Sequence, residues 1–388
     1  MNLHSRPLVM TWILKLLFIG VSLQAYYFYN LHIPLISIVS LLMMGVVLLV
    51  TSLRKGIRFP KDATLGIVLG YMLIFIWSLI GVLFYGESPE TKRLMAFPFL
   101  ILCVLVAIQL YFHCPLESLV RLYLLVHITF FYLQFSTYYL TGYPIDFLAP
   151  VTGEEQRMFG GTFTFPVIDI FMRPVGLFNE PGTYAAYVAP FVALFSRWYG
   201  KSEGNKLIFW LGLCSTFLSF STFGFVFGVL ILMFSKNTFW LKRIYIFIAA
   251  VALVGPYFYD RFIFRPSIEL DSGIEIRRVF LEESLSFLLS NPTALTFGAG
   301  LLTLDPRAEL GMAVNDFSLI LYFLHFIGLP LTIMFGGALI YVSMKLDRAS
   351  RLALLIILLS KHSLFAPFYP FILAAIFWKN RVASSSSA

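Results

Sequence analysis

Residues 64–85 read TLGIVLGYMLIFIWSLIGVLFY and contain no charged side chain. A helix needs about 20 residues to cross the roughly 30 Å hydrocarbon core of a bilayer. Because lipid offers no hydrogen-bond partner to the backbone, such a segment is predicted to be a helix that satisfies its own peptide groups. The pattern recurs along the chain and predicts an all-α, polytopic membrane helical bundle.

Twelve apolar segments of this kind are predicted to span the membrane. Two stretches, 207–235 and 352–378, are each divided into a pair of short spans, because Lys and Arg flank both of their ends and cationic loops favour the cytoplasmic side. Their turns are predicted at 219–224 and 361–367. The predicted spans are 8–29, 33–53, 64–85, 94–112, 119–141, 183–199, 207–220, 222–235, 244–259, 329–344, 352–362 and 364–378.

This arrangement makes residues 1–388 a single integral membrane domain with both termini in the cytoplasm. Two long connections, the first outer loop (142–182) and the second outer loop (260–315), then lie on the opposite side. Loops of that length are usually functional or disordered. The first apolar segment has no small-residue cleavage site, so it is expected to be a retained helix and not a signal peptide.

The composition excludes several classes of protein. Hydrophobic residues make up 59% of the chain and charged residues 12%, with a mean hydropathy of +0.86, which is far from a soluble domain. The basic residues that give the net charge of +8 are scattered singly between apolar segments and form no basic patch, so no nucleic-acid partner is predicted. The three Cys have no CxxC or Cys/His spacing, and neither a disulfide framework nor a metal site is predicted.

The two outer loops carry arginine but no lysine. A guanidinium binds phosphate or carboxylate through two parallel hydrogen bonds and stays charged at any working pH. This bias predicts an anionic ligand; the alternative is that each arginine pairs with an acidic residue of the same loops. The arginines are Arg157, Arg173, Arg261, Arg265, Arg277, Arg278 and Arg307.

In the first outer loop, residues 173–182 read RPVGLFNEPG and lead into an apolar run. Pro181 suits the first turn of a helix, and Asn179 or Glu180 would cap its free amides. The positive end of that helix would favour a phosphate group beside Arg173. Glu180 is therefore either an ordinary helix cap or a functional carboxylate.

In the second outer loop, SGIE at 272–275 has the spacing of a capping box and precedes an amphipathic stretch that ends at 291–292. The predicted helix lies on the bundle and presents Arg277 and Arg278 near the membrane surface. Pairing of these arginines with Glu282 and Glu283 is the alternative.

Three further titratable residues are candidates for an outer cavity or for plain structural roles. Asp316 opens the next apolar helix, either as its cap or as an acid at the cavity. His325 lies inside that helix and is expected to be a packed histidine. His362, at the predicted outer turn 361–367, is placed to reach the same cavity.

Three motifs taken together resemble the Wzy-type polymerases of bacterial O-antigen and capsular repeat units. They are RPxGLFNEPG before a span, a short SxSxxG hairpin, and GxG followed by a polar pair and a helix containing GLP. The resemblance covers roughly residues 140–345 and includes a twelve-span layout with two large periplasmic loops.

The resemblance implies a membrane-embedded glycosyltransferase of the GT-C type in the bacterial inner membrane. It implies catalysis at the periplasmic face on undecaprenyl-pyrophosphate-linked glycans, with no nucleotide sugar, metal or other cofactor. The sugar bonded to pyrophosphate on the growing chain would be attacked by a hydroxyl of a new repeat unit. Membrane lipid, a separate chain-length regulator protein and a flippase are the implied partners.

For that reaction the candidate catalytic residues are Glu180 and Asp316 as alternative bases, with His362 in support. Candidate groups for binding the pyrophosphate and the rest of the substrate are Arg157, Arg173, Arg277, Arg278 and Asn179. Related O-antigen ligases have a His-Asn pair where this chain has Asn315 and Asp316, so the identity of the base stays open.

Two rival functions remain. An O-antigen ligase would transfer the finished glycan to lipid A core, and Asp316 in place of the ligase histidine argues against it. A flippase or solute transporter would place ionisable groups near the membrane midplane and often contains internal repeats. Mid-span charge is sparse here, with Lys15 the clearest case, and no repeat is apparent.

Overall fold

A computed structural model describes residues 8–26, 34–55, 61–85, 91–159, 172–234, 240–259, 272–298, 318–360 and 366–378. This part of the chain is helical, apart from turns, short connections and an isolated bridge between Phe159 and Met172. The helices are α1 (Leu8–Ser22), α2 (Leu35–Lys55), α3 (Lys61–Tyr85), α4 (Thr91–His113), α5 (Leu116–Thr141), α6 (Ala149–Thr152), α7 (Pro181–Phe195), α8 (Glu203–Leu218), α9 (Thr222–Phe234), α10 (Trp240–Tyr259), α11 (Ser272–Ser290), α12 (Pro292–Phe297), α13 (Leu319–Met344), α14 (Arg348–Leu359) and α15 (Tyr369–Phe377).

Five helices, α2, α3, α4, α5 and α13, are long and apolar enough to cross a membrane. Large apolar side chains such as Leu42, Met72 and Ile333 are exposed on them. A surface of this kind is expected where helices face lipid, so the chain has the character of a polytopic helical membrane protein. Two shorter apolar segments, Val9–Ser22 and Thr222–Phe234, lie in α1 and α9, and twelve crossings stay a prediction.

Several helix ends differ from the predicted spans. Helix α1 ends at Ser22, whereas the predicted span continues to residue 29. Helix α13 begins at Leu319, and the predicted span 329–344 is only its second half, because the helix is kinked at Gly328. The two divided stretches each form a pair of helices, α8 with α9 and α14 with α15.

Helix α7 lies at the centre of the bundle. Almost all of its side chains are buried, and it packs against α5, α8, α9, α14 and α15. Small alanines let these neighbours approach, and the hydroxyl of Tyr184 donates to Ser215 Oγ on α8 at 2.7 Å. The start of α7 is therefore held rigidly by the surrounding helices.

Ion pairs fasten the end of the bundle where α7 finishes. In the 3₁₀ helix Ser196–Lys201, Arg197 Nε donates to Asp347 Oδ1 at 3.1 Å, and Lys201 pairs with Glu117 of α5 at 2.6 Å. Burial alone would raise the pKa of Asp347, but the hydrogen bonds and charge of Arg197 outweigh it and hold the pKa below its ordinary value. Glu117, Lys201 and Asp347 lie in loops that are predicted to be cytoplasmic, and Arg197 lies at the cytoplasmic end of the predicted span 183–199.

A contact between two glycines, the Gly298–Gly328 crossing, joins the end of α12 to the kink in α13. Both residues have positive φ, 72° and 73°. A Cβ added to Gly328 would lie 2.3 Å from the Thr296 carbonyl oxygen. Trp77 of α3 donates its indole N–H at 3.0 Å to the Ile327 carbonyl beside the kink. Only glycine fits at either position, because the two backbones touch.

Candidate functional site

Residues 172–180, here called the strap, lead into α7 and carry Arg173, Asn179 and Glu180. The strap lies directly on the backbone of α5. Gly176 has a φ of +57°, and a Cβ there would lie 3.3 Å from Phe131 N and 3.4 Å from His127 O. The glycine of the RPVGLFNEPG motif therefore permits both the turn and the close approach to α5.

Gln134 of α5 is hydrogen-bonded to the strap and to other parts of the first outer loop. Its side chain is fully buried. Its Oε1 accepts from the Val175 N–H at 2.7 Å and from the Gly176 N–H at 3.0 Å. Its Nε2 donates at 2.8 Å to the carbonyl of Ile145 and at 3.0 Å to Oε1 of Gln156. The carboxamide thus uses both protons and both acceptor positions.

Gln156 completes the network from within the first outer loop. Its Nε2 donates to the carbonyls of Gly176 and Phe178 at 2.8 and 2.6 Å. Its Oε1 accepts from the Phe147 N–H at 3.0 Å as well as from Gln134. Two uncharged side chains therefore join three parts of the loop, residues 145–147, 156 and 175–178, to one another and to α5. Every polar atom of both side chains is satisfied.

Asp146 shapes the start of the same loop. Its two carboxylate oxygens accept from the N–H groups of Leu148, Ala149 and Gln156 at 2.7, 2.8 and 2.7 Å. An aspartate that accepts from its own local backbone stabilises a turn. We therefore assign Asp146 a structural role and do not count it among the substrate-binding groups.

The network brings together four of the predicted site residues. The Arg157 N–H donates to the Asn179 carbonyl at 2.8 Å, and the Arg173 N–H donates to the Met158 carbonyl at 2.7 Å. Arg157 is exposed, whereas Arg173, Asn179 and Glu180 are partly buried. Arg157 and the strap residues Arg173, Asn179 and Glu180 therefore lie on two backbone segments that are hydrogen-bonded to each other near the start of α7.

Glu180 occupies the N-cap position of α7, and Pro181 is the first helical residue, as predicted. Asn179 or Glu180 is predicted to cap the helix, but the side chain of Glu180, which is at the N-cap, forms no cap hydrogen bond. Its Oε1 accepts instead from the Thr183 hydroxyl at 3.0 Å. The extended backbone of Glu180, with φ −153° and ψ 158°, leads its carboxylate to the hydroxyl one turn along.

The second outer loop contains the predicted amphipathic helix, α11. Arg277 and Arg278 lie on it, but their side chains fall outside the described residues. The helix packs through Ser284 and Leu288, and Ser284 Oγ lies 3.2 Å from His325 Nδ1. His325 is thus in a packing contact, as expected. The amphipathic pattern of α11 predicts that Val279 lies on the packed face, but Val279 is 41% exposed, because α11 turns the Ser284 side towards α13.

Asp316 and His362, two of the predicted catalytic residues, lie outside the described residues. The sequence interpretation missed Gln134, Gln156 and Asp146, which organise the strap. One signal was present in the sequence, since Gln134 is a polar side chain within the otherwise largely apolar α5. A buried amide in such a run requires hydrogen-bond partners from outside the helix.

The arrangement suits an anionic ligand that also bears a reactive hydroxyl. Guanidinium groups offer planar, permanently charged donors, and a carboxylate nearby accepts a proton. Comparisons with protein-family models, with curated proteins and with solved structures find no match to this chain.

Proposed function

We propose that this chain polymerises undecaprenyl-pyrophosphate-linked oligosaccharide repeat units at the periplasmic face of a bacterial inner membrane. It would be a metal-independent glycosyltransferase that makes O-antigen or a similar surface polysaccharide. The observation that carries the proposal is the strap, which bears Arg173 and Glu180 and leads into the buried helix α7, and whose Asn179 carbonyl accepts from the backbone N–H of Arg157. A departing pyrophosphate needs fixed positive charge, and an attacking hydroxyl needs a proton acceptor.

In the proposed reaction, a hydroxyl oxygen of the incoming repeat unit bonds to the anomeric carbon of the donor sugar. The bond from that carbon to the pyrophosphate oxygen breaks, and undecaprenyl pyrophosphate leaves with the electron pair. Glu180 is the proposed acceptor of the hydroxyl proton, with Asp316 as the alternative base and His362 in support. Arg173 and Arg157 stabilise the charge that develops on the leaving group.

The remaining candidates are assigned to substrate binding. Arg277 and Arg278, on α11, would hold a second pyrophosphate, that of the other lipid-linked repeat unit. Asn179 would donate to a sugar or phosphate oxygen through its side-chain amide. The membrane lipid is the polyprenyl carrier itself. A flippase would deliver the lipid-linked repeat unit before this step, and a chain-length regulator would limit how far the glycan is extended.

Replacing Arg173 with alanine is expected to lower the rate of glycan extension by about a hundredfold, the usual effect of removing one donor to a transition-state anion. Arg173→Lys is expected to retain part of the activity, because the charge stays while the two-pronged geometry is lost. The rate is measured with the purified protein in nanodiscs, from the release of undecaprenyl pyrophosphate and the appearance of longer lipid-linked chains.

The matched control is Arg121→Ala, since Arg121 is an exposed arginine near the opposite end of α5. Normal extension by a folded Arg173→Ala variant would remove Arg173 from the mechanism. The choice of acceptor separates the rival functions. Transfer to lipid A core, with none to a second lipid-linked repeat unit, would identify a ligase, and movement of the glycan across the bilayer without bond formation would identify a flippase.

The membrane orientation has its own test, in a background with Cys103, Cys114 and Cys214 replaced by alanine. Glu154→Cys, in the first outer loop, is expected to react with a membrane-impermeant maleimide in intact spheroplasts. Glu203→Cys, at the start of α8, is expected to react only after permeabilisation, although its side chain is 87% exposed. The reverse pattern would place the strap inside the cell, where the proposed chemistry has no substrate.

A further inference from the structure

A polar cluster is buried beneath the strap, between the end of α1 and the middle of α5. It contains Ser22, Gln24 and His127, together with the hydroxyl of Tyr187 from α7. His127 is fully buried and Ser22 nearly so. Buried polar groups are normally hydrogen-bonded, so each atom of this cluster needs a partner.

The hydrogen bonds fix which nitrogen of His127 carries the proton. Ser22 Oγ donates its one proton to the Ile19 carbonyl at 2.7 Å. Ser22 Oγ is also 3.0 Å from His127 Nε2, so the hydroxyl must accept there and Nε2 must donate. In the neutral ring, Nδ1 is then the acceptor.

Two atoms of the cluster have complementary hydrogen-bonding roles, one as an acceptor and one as a donor. His127 Nδ1, an acceptor, and Gln24 Nε2, a donor, are buried and have no hydrogen-bond partner among the described residues. The other end of the Gln24 amide is engaged, since its Oε1 accepts from the Tyr187 hydroxyl at 2.9 Å. A donor and an acceptor of this kind can be bridged by one small molecule that both accepts and donates, and water is the smallest.

A closed circuit of contacts connects the two residues that carry these atoms. His127 bonds to Ser22, which is two residues from Gln24, and Gln24 bonds to Tyr187. The Tyr187 ring stacks on Phe178 at 5.7 Å between centroids, and the Phe178 ring lies 4.9 Å from the His127 ring. Phe178 belongs to the strap and directly precedes Asn179 and Glu180.

We propose that His127 is a positioning residue for the strap. One ordered water accepts from Gln24 Nε2 and donates to His127 Nδ1, while His127 Nε2 donates to Ser22. The imidazole ring is thereby fixed in one orientation, and Phe178 packs on it. The consequence for function rests on the proposed glycosyl transfer: Asn179 and Glu180 are held in fixed positions at the start of α7.

Three substitutions of His127 distinguish the roles of its two ring nitrogens from the role of its size. In His127→Phe the ring volume stays, but both polar contacts are lost. In His127→Gln the terminal amide keeps a donor near Ser22, and in His127→Asn the amide oxygen keeps an acceptor near the position of Nδ1. If the role were packing alone, phenylalanine would be the best tolerated of the three.

The first measurement is hydrogen exchange of the strap amides Gly176 and Phe178 in the detergent-solubilised full chain, which needs no substrate. We expect about tenfold faster exchange in His127→Phe, the equivalent of one hydrogen bond, and slower exchange in the Gln and Asn variants than in Phe. Gln24→Leu is expected to reproduce the effect, and the double variant to add little, because both changes remove the same bridge. Unchanged exchange in His127→Phe, or additive effects of the two changes, would overturn the proposal.

The second measurement is glycan extension, in which misplacement of Glu180 is expected to lower kcat and to leave KM near the wild-type value. The control is Ser52→Ala, which removes another buried polar atom, on α2 and remote from the strap, with no hydrogen-bond partner among the described residues. If the wild-type chain extends no glycan, the polymerase assignment fails while the exchange experiment still decides the role of His127.

Discussion

Gly328→Ala is expected to abolish accumulation of folded protein in the membrane. The new Cβ would lie 2.3 Å from the Thr296 carbonyl oxygen and 2.5 Å from its carbon, and the residue would have to keep a φ of 73°. Left-handed backbone and a backbone clash together cost roughly 3 kcal/mol or more. The measurements are yield by fluorescence-detected size exclusion and the midpoint of thermal unfolding in detergent.

The matched control is Gly336→Ala on the same helix, where an added Cβ meets nothing within 4 Å. This variant is expected to behave as the wild type does. Gly298→Ala should resemble Gly328→Ala, because a Cβ on Gly298 would lie 2.4 Å from the Phe326 carbonyl. Equal unfolding midpoints for Gly328→Ala and Gly336→Ala would show that α12 and the kink do not touch in the folded protein.

Gln134→Leu is expected to release the strap and to destabilise the protein by about 3 to 5 kcal/mol. The substitution preserves volume but removes two acceptor bonds to the Val175 and Gly176 N–H groups and two donor bonds, to Ile145 and Gln156. Those partners would stay buried without a replacement. The expected signs are a lower unfolding midpoint, faster exchange of the Val175 and Gly176 amides, and loss of glycan extension.

The control for this prediction is Leu133→Ala, since Leu133 is the preceding residue of α5 and is 47% exposed. It should change neither the exchange of the strap amides nor the extension rate. Gln156→Leu is expected to have a similar effect to Gln134→Leu, and the double variant should fall short of the sum, because the two amides share a hydrogen bond. Independent, additive losses would mean that the two glutamines do not form one network.

The helices were predictable from the sequence because lipid imposes a simple rule on long apolar segments. Pro181 and RPVGLFNEPG located the start of α7, since a proline at the first turn and a polar residue before it have local causes. No kink was predicted at Gly328, although GLP places a proline two residues after it. The kink depends on Gly298, which lies 30 positions earlier in the chain and contacts Gly328 only in the folded protein.

The charged candidates for the site can be picked out from the sequence, whereas the uncharged residues that hold their backbone cannot, and the site itself stays a prediction. Arg157 and Arg173 are conspicuous by their charge, whereas Gln134 and Gln156 belong to no motif and act through a pairing across 22 residues. His127 was equally hidden, because a lone histidine in an apolar helix carries no sign of its partners. Local propensity and periodicity depend on residues that are neighbours in the sequence, whereas these three residues act through contacts with residues that are distant in the sequence.

The length of α7 has a consequence for where a substrate would be met. Its 15 residues rise about 22 Å, some 8 Å less than a typical hydrocarbon core. In the proposed topology, Arg197 of the 3₁₀ helix that continues α7 pairs with Asp347 at the cytoplasmic surface, which would leave the shortfall at the Glu180 end. The acidic group would then be recessed below the headgroup plane, at a depth that a polyprenyl diphosphate reaches without leaving the bilayer, while a water-soluble sugar phosphate would have to descend to it.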